Sequence, residues 1–162
     1  MVFNGATLGT TYQVKVIAGY FKSTSGLKEK IEDRLLAINQ SMSTYLQDSE
    51  ISRFNAIRDT QEKLAVSDDF LQVMLAARDV YRKTGGAWDG TVKPLLTLWG
   101  FGNTRQTRPV PDEAELKKQI RRVGFQYIDI FSEGYLQKKK PTLTLDLASI
   151  AKGYAVDQVS DL

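Results

Sequence analysis

Residues 84–102 read TGGAWDGTVKPLLTLWGFG, and the rest of the chain is best read around them. This stretch holds five of the twelve glycines, both tryptophans and one carboxylate, Asp89. Glycine lets a backbone turn sharply or approach a ligand closely. Tryptophan offers a large flat apolar face with one polar handle. Two readings are open on composition alone: a buried turn with two core tryptophans, or a wall against which a flat ligand lies.

The residues before the stretch explain where it starts. Ser67 is placed to cap a helix, and Asp68 and Asp69 sit at its positive end. Phe70, Val73, Met74, Ala77, Val80 and Tyr81 form its apolar stripe. Arg82 and Lys83 fall in the last turn, and Gly85 ends it.

Elsewhere the periodicity alternates between two and 3.6. Residues 10–20 alternate and read as a strand. Residues 27–42 carry a helical stripe, Leu27, Ile31, Leu35, Ile38 and Met42, with Ser25 as candidate N-cap. Ser49 is placed to cap a short helix from Glu50, and Tyr45 before it has the position of a core plug. Residues 103–111 contain two prolines and read as a surface loop. Asp112 caps a helix over 113–123, and Gly124 stops it. Residues 126–131 and 135–139 pair as strands, and Lys138, Lys139 and Lys140 are expected on a solvated edge. Residues 142–147 alternate as a third strand, with Leu143, Leu145 and Leu147 on one face. A last helix starts near Ser149, with Ile150, Val156 and Val159 apolar. No repeat or linker divides the 162 residues, so they read as one domain, 1–162, whose polypeptide is expected to continue past Leu162.

Composition narrows the chemistry. The chain has no cysteine, so disulfides, thiolate catalysis and thiolate metal sites are excluded. It has no histidine, the commonest general base and metal ligand. A metal must be held by oxygen, which suits Mg²⁺ or Ca²⁺. A net charge of +3, without clustered Lys and Arg beside aromatics, gives no nucleic-acid footprint. No apolar run is long enough to span a bilayer.

Three places are chemically interesting: the glycine–tryptophan stretch, Tyr45 among its serines and threonines, and the segment DLASIAK, Asp146 to Lys152. In the last, a strand runs into a helix whose first N–H groups favour an anion such as phosphate. The alternative there is a capping acid followed by an exposed lysine. Taken together, the parts describe a site for something flat and phosphorylated.

Four segments in order carry a resemblance: GTTY, STYLQDSEISRFN, GAWDGTVKPLLTLWGFG and LDLASIAKGYAVD. They resemble the ApbE family, the FAD:protein FMN transferases, over essentially the whole chain but only the N-terminal part of the family's length. The resemblance implies an α+β architecture, a T-fold-like mixed or antiparallel sheet with packed helices. It implies cleavage of FAD with Mg²⁺, transfer of FMN to a threonine hydroxyl of an acceptor protein, and release of AMP. Acceptors would be like subunits of sodium-pumping NADH:quinone reductase or Rnf complexes, at the periplasmic face of a bacterial envelope, with a lipid anchor on the full-length form. The alternatives are an FAD pyrophosphatase and a non-catalytic FAD-binding fragment.

By residue, the resemblance implies FAD contacts from Leu8, where the family has methionine, and from Tyr45, Ala87, Trp88, Asp89, Asp146 and Lys152. Trp88 stands where Phe or Met is usual, and Lys93 where glycine is usual. The backbone carbonyl of Ser149 would bind Mg²⁺. Remaining metal ligands and a histidine segment would lie in the family's C-terminal half. Within the opening stretch, Gly86 to Asp89 is expected to touch the nucleotide, and the part from Leu95 on to pack beneath as support. Asp89→Ala is then expected to weaken FAD binding more than it lowers stability.

Overall fold

The structure, a computed structural model, describes residues 1–17, 19, 24–101 and 110–162. The chain opens on a hairpin of β1 (Val2–Thr7) and β2 (Thr10–Lys15), antiparallel, with Thr7 paired to Thr10. The alternation from Thr10 found β2; β1 escapes it, because Gly5, Ala6 and Asn4 give a weak pattern. Ala18 and Tyr20, also placed in that strand, lie outside the described residues.

Helix α1 (Leu27–Met42) follows the expected bounds, but its N-cap is Gly26 in the left-handed region, not Ser25. Helix α2 (Glu50–Ala56) is capped as predicted: Ser49 accepts the Ser52 N–H at 3.2 Å. A two-residue β3 (Leu64–Ala65) leads to α3 (Asp68–Lys83), where Ser67 accepts the Phe70 N–H. Then come α4 (Lys93–Leu98), α5 (Glu113–Ile120), a 3₁₀ turn (Phe125–Tyr127), β4 (Ile128–Phe131), β5 (Tyr135–Lys138) and α6 (Ala148–Ser160). Asp112 caps α5 by accepting the Glu115 N–H at 2.7 Å. Of the loop expected over 103–111, residues 103–109 lie outside the described residues.

Three strands form the second sheet in the order β3-β5-β4, all antiparallel. Strand β5 is therefore central; the solvated reading fails for Lys138, while Lys139 is exposed and Lys140 lies in the bend after the strand. Lys138 follows Leu136 on the inward face and is 1% exposed. Its ammonium lies 5.0 Å from the Phe54 ring centroid and donates to Leu143 O at 3.0 Å. Lys139 pairs with Asp129, and Lys140 sits over the Tyr127 ring. Periodicity marks the face of a residue but not the chemistry that can be buried there: a lysine stem packs like an aliphatic chain.

Residues 143–147 depart from expectation in another way. Leu143, Leu145 and Leu147 are all fully buried, as the alternation requires. Yet no strand ladder forms with them among the described residues. The segment runs extended between other parts of the protein.

The core joins α1 (Ile31, Ile38), α2 (Ile51, Phe54), α3 (Phe70, Met74), Leu136 and the three leucines. Each such side chain contributes about 1.5–3 kcal/mol by leaving water. Helix α6 turns Ala151 and Ala155 inward and leaves Val156 exposed, so it sits close to its neighbours. Arg34 of α1 reaches Asp69 of α3 with both guanidinium arms, at 2.5 and 2.6 Å. Arg34 also donates to Gln158, and Tyr154 donates to Asp69 at 2.6 Å. One polar knot thus ties α6 to α1 and α3. It holds the Asp69 carboxyl below its usual range, chiefly through the Arg34 bonds. Burial, reinforced by Asp69, pushes the Tyr154 phenol up to about 12.

Candidate functional site

Helix α3 ends at Thr84, and Gly85 and Gly86 carry the chain away at φ 59° and 84°. The Thr84 hydroxyl accepts the Trp88 N–H at 3.1 Å, which fixes the turn. Asp89 then folds onto its own neighbourhood. One carboxylate oxygen accepts from the Thr91 N–H at 2.7 Å and from the Thr91 hydroxyl at 2.6 Å. The other accepts the Phe125 N–H at 3.0 Å. Thr91, fully buried, accepts the Gly124 N–H at 2.7 Å. Asp89 and Thr91 together staple the glycine–tryptophan turn to the 3₁₀ turn. This also explains why residues 125–127 wind up instead of starting a strand.

Gly90 is the point of closest approach. A Cβ there would lie 3.1 Å from Trp88 Cη2 and 3.3 Å from Leu147 Cδ2. Its carbonyl accepts the Asp146 N–H at 2.8 Å. The Trp88 indole N–H donates to the Ser149 hydroxyl at 3.1 Å. Two segments some sixty residues apart in sequence therefore meet at the start of α6. Asp146 accepts the Ala148 N–H at 3.0 Å from the position before the N-cap, which is Leu147. Lys152, exposed, lies one turn on, 3.4 Å from Ala148 O. Ala87 and Ser149 are exposed beside them.

Leu8 and Tyr45 stand apart from that cluster but near each other. Leu8 and Gly9 make the hairpin turn at φ 49° and 73°. Leu8 is the only non-glycine with positive φ among the described residues, a strained conformation for a γ-branched side chain. A Cβ on Gly9 would be 3.7 Å from Tyr45 Cε2. Tyr45 is 66% exposed, so the core-plug reading fails: its ring stands on the surface. Below it the loop is firm, because the fully buried Ser49 hydroxyl lies 2.7 Å from Ser43 O and 2.9 Å from Leu46 O. Leu8 and Lys152 line one open cavity of about 760 Å³, between β2, α1 and α6. Lys152 thus links this cavity to the first turn of α6.

In the second half of the opening stretch Leu95, Leu96 and Leu98 are half-buried, and the supporting role fails for the two aromatics. Pro94 is buried, but Trp99 is 50% and Phe101 66% exposed.

Residues 8–162 match the ApbE family. This chain belongs to that family. It is 42% identical to the FAD:protein FMN transferase of Vibrio cholerae over 160 residues, 98% of this chain and 47% of the relative. It is 39% identical to that of Haemophilus influenzae, covering 98% of this chain and 47% of the relative. The solved structure of the flavin transferase ApbE from Vibrio cholerae superposes with a TM-score of 0.91 at 39% identity, over 99% of this chain and 52% of that one. The chain spans about half the length of the relatives it matches. The α+β reading of the sequence agrees with this fold.

The donor set speaks to a metal as far as it goes. Asp146 and Ser149 offer hard oxygens, which suit Mg²⁺. Among the described residues no three carboxylates gather as a cage. Two such oxygens are a partial donor set for an ion of this kind, which takes about six. Two contributors were not singled out from the sequence: Thr91, which completes the Asp89 staple, and Asn55, which brackets Leu145. The asparagine lay inside the quoted motif STYLQDSEISRFN, the one signal that pointed to it.

Proposed function

We propose that this chain supplies the flavin-nucleotide side of an enzyme that moves FMN from FAD to a threonine hydroxyl of an acceptor protein. The observation that carries the reading is the meeting of Trp88 with Ser149 at the start of α6, in a chain 42% identical to an FAD:protein FMN transferase. In the reaction, the threonine oxygen forms a bond to the phosphorus of the FMN half. The pyrophosphate P–O bond breaks, and AMP leaves with the bridging oxygen. The threonine proton passes to a general base, which in these residues is not a histidine.

Each part has a physical task. Trp88 and Tyr45 offer aromatic faces to the flavin or adenine rings. Leu8 and Ala87 provide apolar contact. The first N–H groups of α6 and the Lys152 ammonium favour phosphate. Asp89 keeps the Trp88 turn in place. Asp146 would contact FAD, and Ser149, through its carbonyl, would hold Mg²⁺. When bound, Mg²⁺ neutralises charge that develops on the pyrophosphate. Acceptors of the class found in sodium-pumping NADH:quinone reductases and Rnf complexes, and a periplasmic, lipid-anchored setting, belong to the same proposal.

The test is to incubate the intact protein with FAD, Mg²⁺ and such an acceptor. A fluorescent acceptor band in a denaturing gel, abolished by EDTA, is expected. Release of FMN and AMP with no labelled acceptor would instead make it an FAD pyrophosphatase.

A further inference from the structure

The segment 143–147 sets the position of Asp146 and the start of α6, yet no strand pairs with it among the described residues. What holds it is a set of isolated contacts from three different elements. The Asn55 side chain, on the last turn of α2, acts as a strand partner in miniature. Its Oδ1 accepts the Leu145 N–H at 2.6 Å, and its Nδ2 donates to the Leu145 carbonyl at 3.0 Å. A side-chain amide carries a carbonyl acceptor and an NH₂ donor side by side on one planar group, so it satisfies both backbone groups of one residue. In an extended chain the neighbouring residue directs its backbone groups to the opposite side. There the Asp146 N–H meets Gly90 O at 2.8 Å. Two residues upstream of Leu145, the Lys138 ammonium donates to Leu143 O at 3.0 Å.

We infer that Asn55 is a positioning residue of the flavin site: its amide clamps Leu145 and so sets where Asp146 and Ser149 meet Trp88. It touches no ligand in this account. Its effect passes along one peptide, from Leu145 to Asp146, and then through the Asp146–Ala148 bond into α6. Where it concerns ligand affinity, the inference rests on the flavin-site reading above. The clamp itself does not.

Trp88 gives a direct readout, because its indole N–H bonds to Ser149. The intact protein carrying Trp99→Phe reports Trp88 emission alone, since the chain has two tryptophans. In that background Asn55→Ala removes both arms of the clamp. Asn55→Asp keeps the acceptor for Leu145 N–H but sets a carboxylate against the Leu145 carbonyl, and it decides the matter if the alanine variant fails to fold. Ile38→Val, a core change in α1 that removes none of the clamp's hydrogen bonds, is the stability control. The expected result is a shift of Trp88 emission of several nanometres in the Asn55 variants and none in Ile38→Val at a similar loss of melting temperature. The FAD dissociation constant should rise about tenfold in the Asn55 variants, the equivalent of one displaced hydrogen bond. Unchanged Trp88 emission in a folded Asn55 variant overturns the inference. So does an equal shift in Ile38→Val. If the parent protein binds no FAD, the flavin-site reading falls, while the emission arm still decides the clamp.

Discussion

Lys138 makes a sharp test of how this interior is built. It is 1% exposed, and its charged end has the Leu143 carbonyl and the face of Phe54 for company. Burial, with Arg58 adding to it and Glu62 opposing, lowers its pKa from the usual 10.5 to about 8. At about 1.4 kcal/mol per pH unit, the folded protein loses on the order of 3 kcal/mol by keeping this lysine protonated at pH 7. The sign follows from proton counts. Between about 8 and 10.5 the unfolded chain holds the proton and the folded chain has released it. Stability from this group therefore rises with pH across that window and is flat below it. Above pH 8 the neutral amine still donates to Leu143 O, so the contact is not lost when the charge is.

Lys138→Met keeps most of the stem and removes the titrating group. At pH 7 it relieves the burial of charge but leaves the Leu143 carbonyl without its donor, a cost of about 1–3 kcal/mol. The two effects nearly offset, so the variant should match the parent at pH 7 to within about 2 kcal/mol. At pH 10 the relief is gone, the unpaired carbonyl remains, and the variant falls behind. Urea denaturation of both proteins from pH 7 to 10 measures the difference directly, and other titrating groups cancel. The parent should gain on the order of 2–3 kcal/mol over the variant across the range. A stability difference that stays constant with pH would refute the account of a charged lysine held in a dry interior.

Three further outcomes follow from the geometry. Asp89→Ala breaks three hydrogen bonds at once, so the expectation that it mainly costs FAD affinity changes: a loss of about 2–4 kcal/mol in stability, read by calorimetry, should accompany weaker FAD binding. Gly90→Ala places a methyl 3.1 Å from Trp88 and 3.3 Å from Leu147, and should shift tryptophan emission with the fold retained, as near-UV and far-UV circular dichroism would show. Arg34→Ala removes the bonds that hold the Asp69 carboxyl below its usual pKa. The parent keeps that contribution above the ordinary carboxylate range and loses it as pH falls through the lowered pKa, so the variant should be less stable at pH 7, by about 1.5–3 kcal/mol, and should have a flatter acid limb in a denaturation series.

How much of this was legible depends on the range over which each feature is decided. Helices α1, α2 and α3 were readable because stripe and stop signals lie within each segment, and Ser49 and Ser67 act within three residues of themselves. The inward face of residues 143–147 was readable for the same reason. The absence of a paired strand there was not, because the groups that satisfy its backbone come from Asn55, Lys138 and Gly90. Lys138 was misplaced because charge argued for the surface while the central place of β5 argued for the core. The pleat prevailed, since Lys138 lies on the same inward face of β5 as Leu136, two residues away. Within the candidate site, the motifs located the right segments. The division of labour inside them was hidden: Asp89 is turned toward Thr91 and Phe125, while Tyr45 stands out in solvent.

That division bears on the chemistry. With neither histidine nor cysteine, proton transfer in these residues would fall to carboxylates, lysines or tyrosines. Phosphoryl transfer asks less for such groups than for exact placement and charge stabilisation. For the proposed transfer, contacts within the protein would supply that placement. Asp89 and Thr91 fix the Trp88 turn, Asn55 and Gly90 fix Asp146, and the Arg34–Asp69–Tyr154 knot fixes the axis of α6. Each reaches the site through a backbone group or one intervening residue. A substitution at any of these points therefore loosens a placement and leaves the chemical groups intact. In a transfer that depends on alignment, such changes should lower turnover as well as substrate affinity, whereas loss of Tyr45 or Lys152 should act mainly on affinity. Steady-state kinetics of Thr91→Val beside Lys152→Ala would separate the two classes, and an unchanged turnover in Thr91→Val would argue against placement as the main contribution of this half of the site.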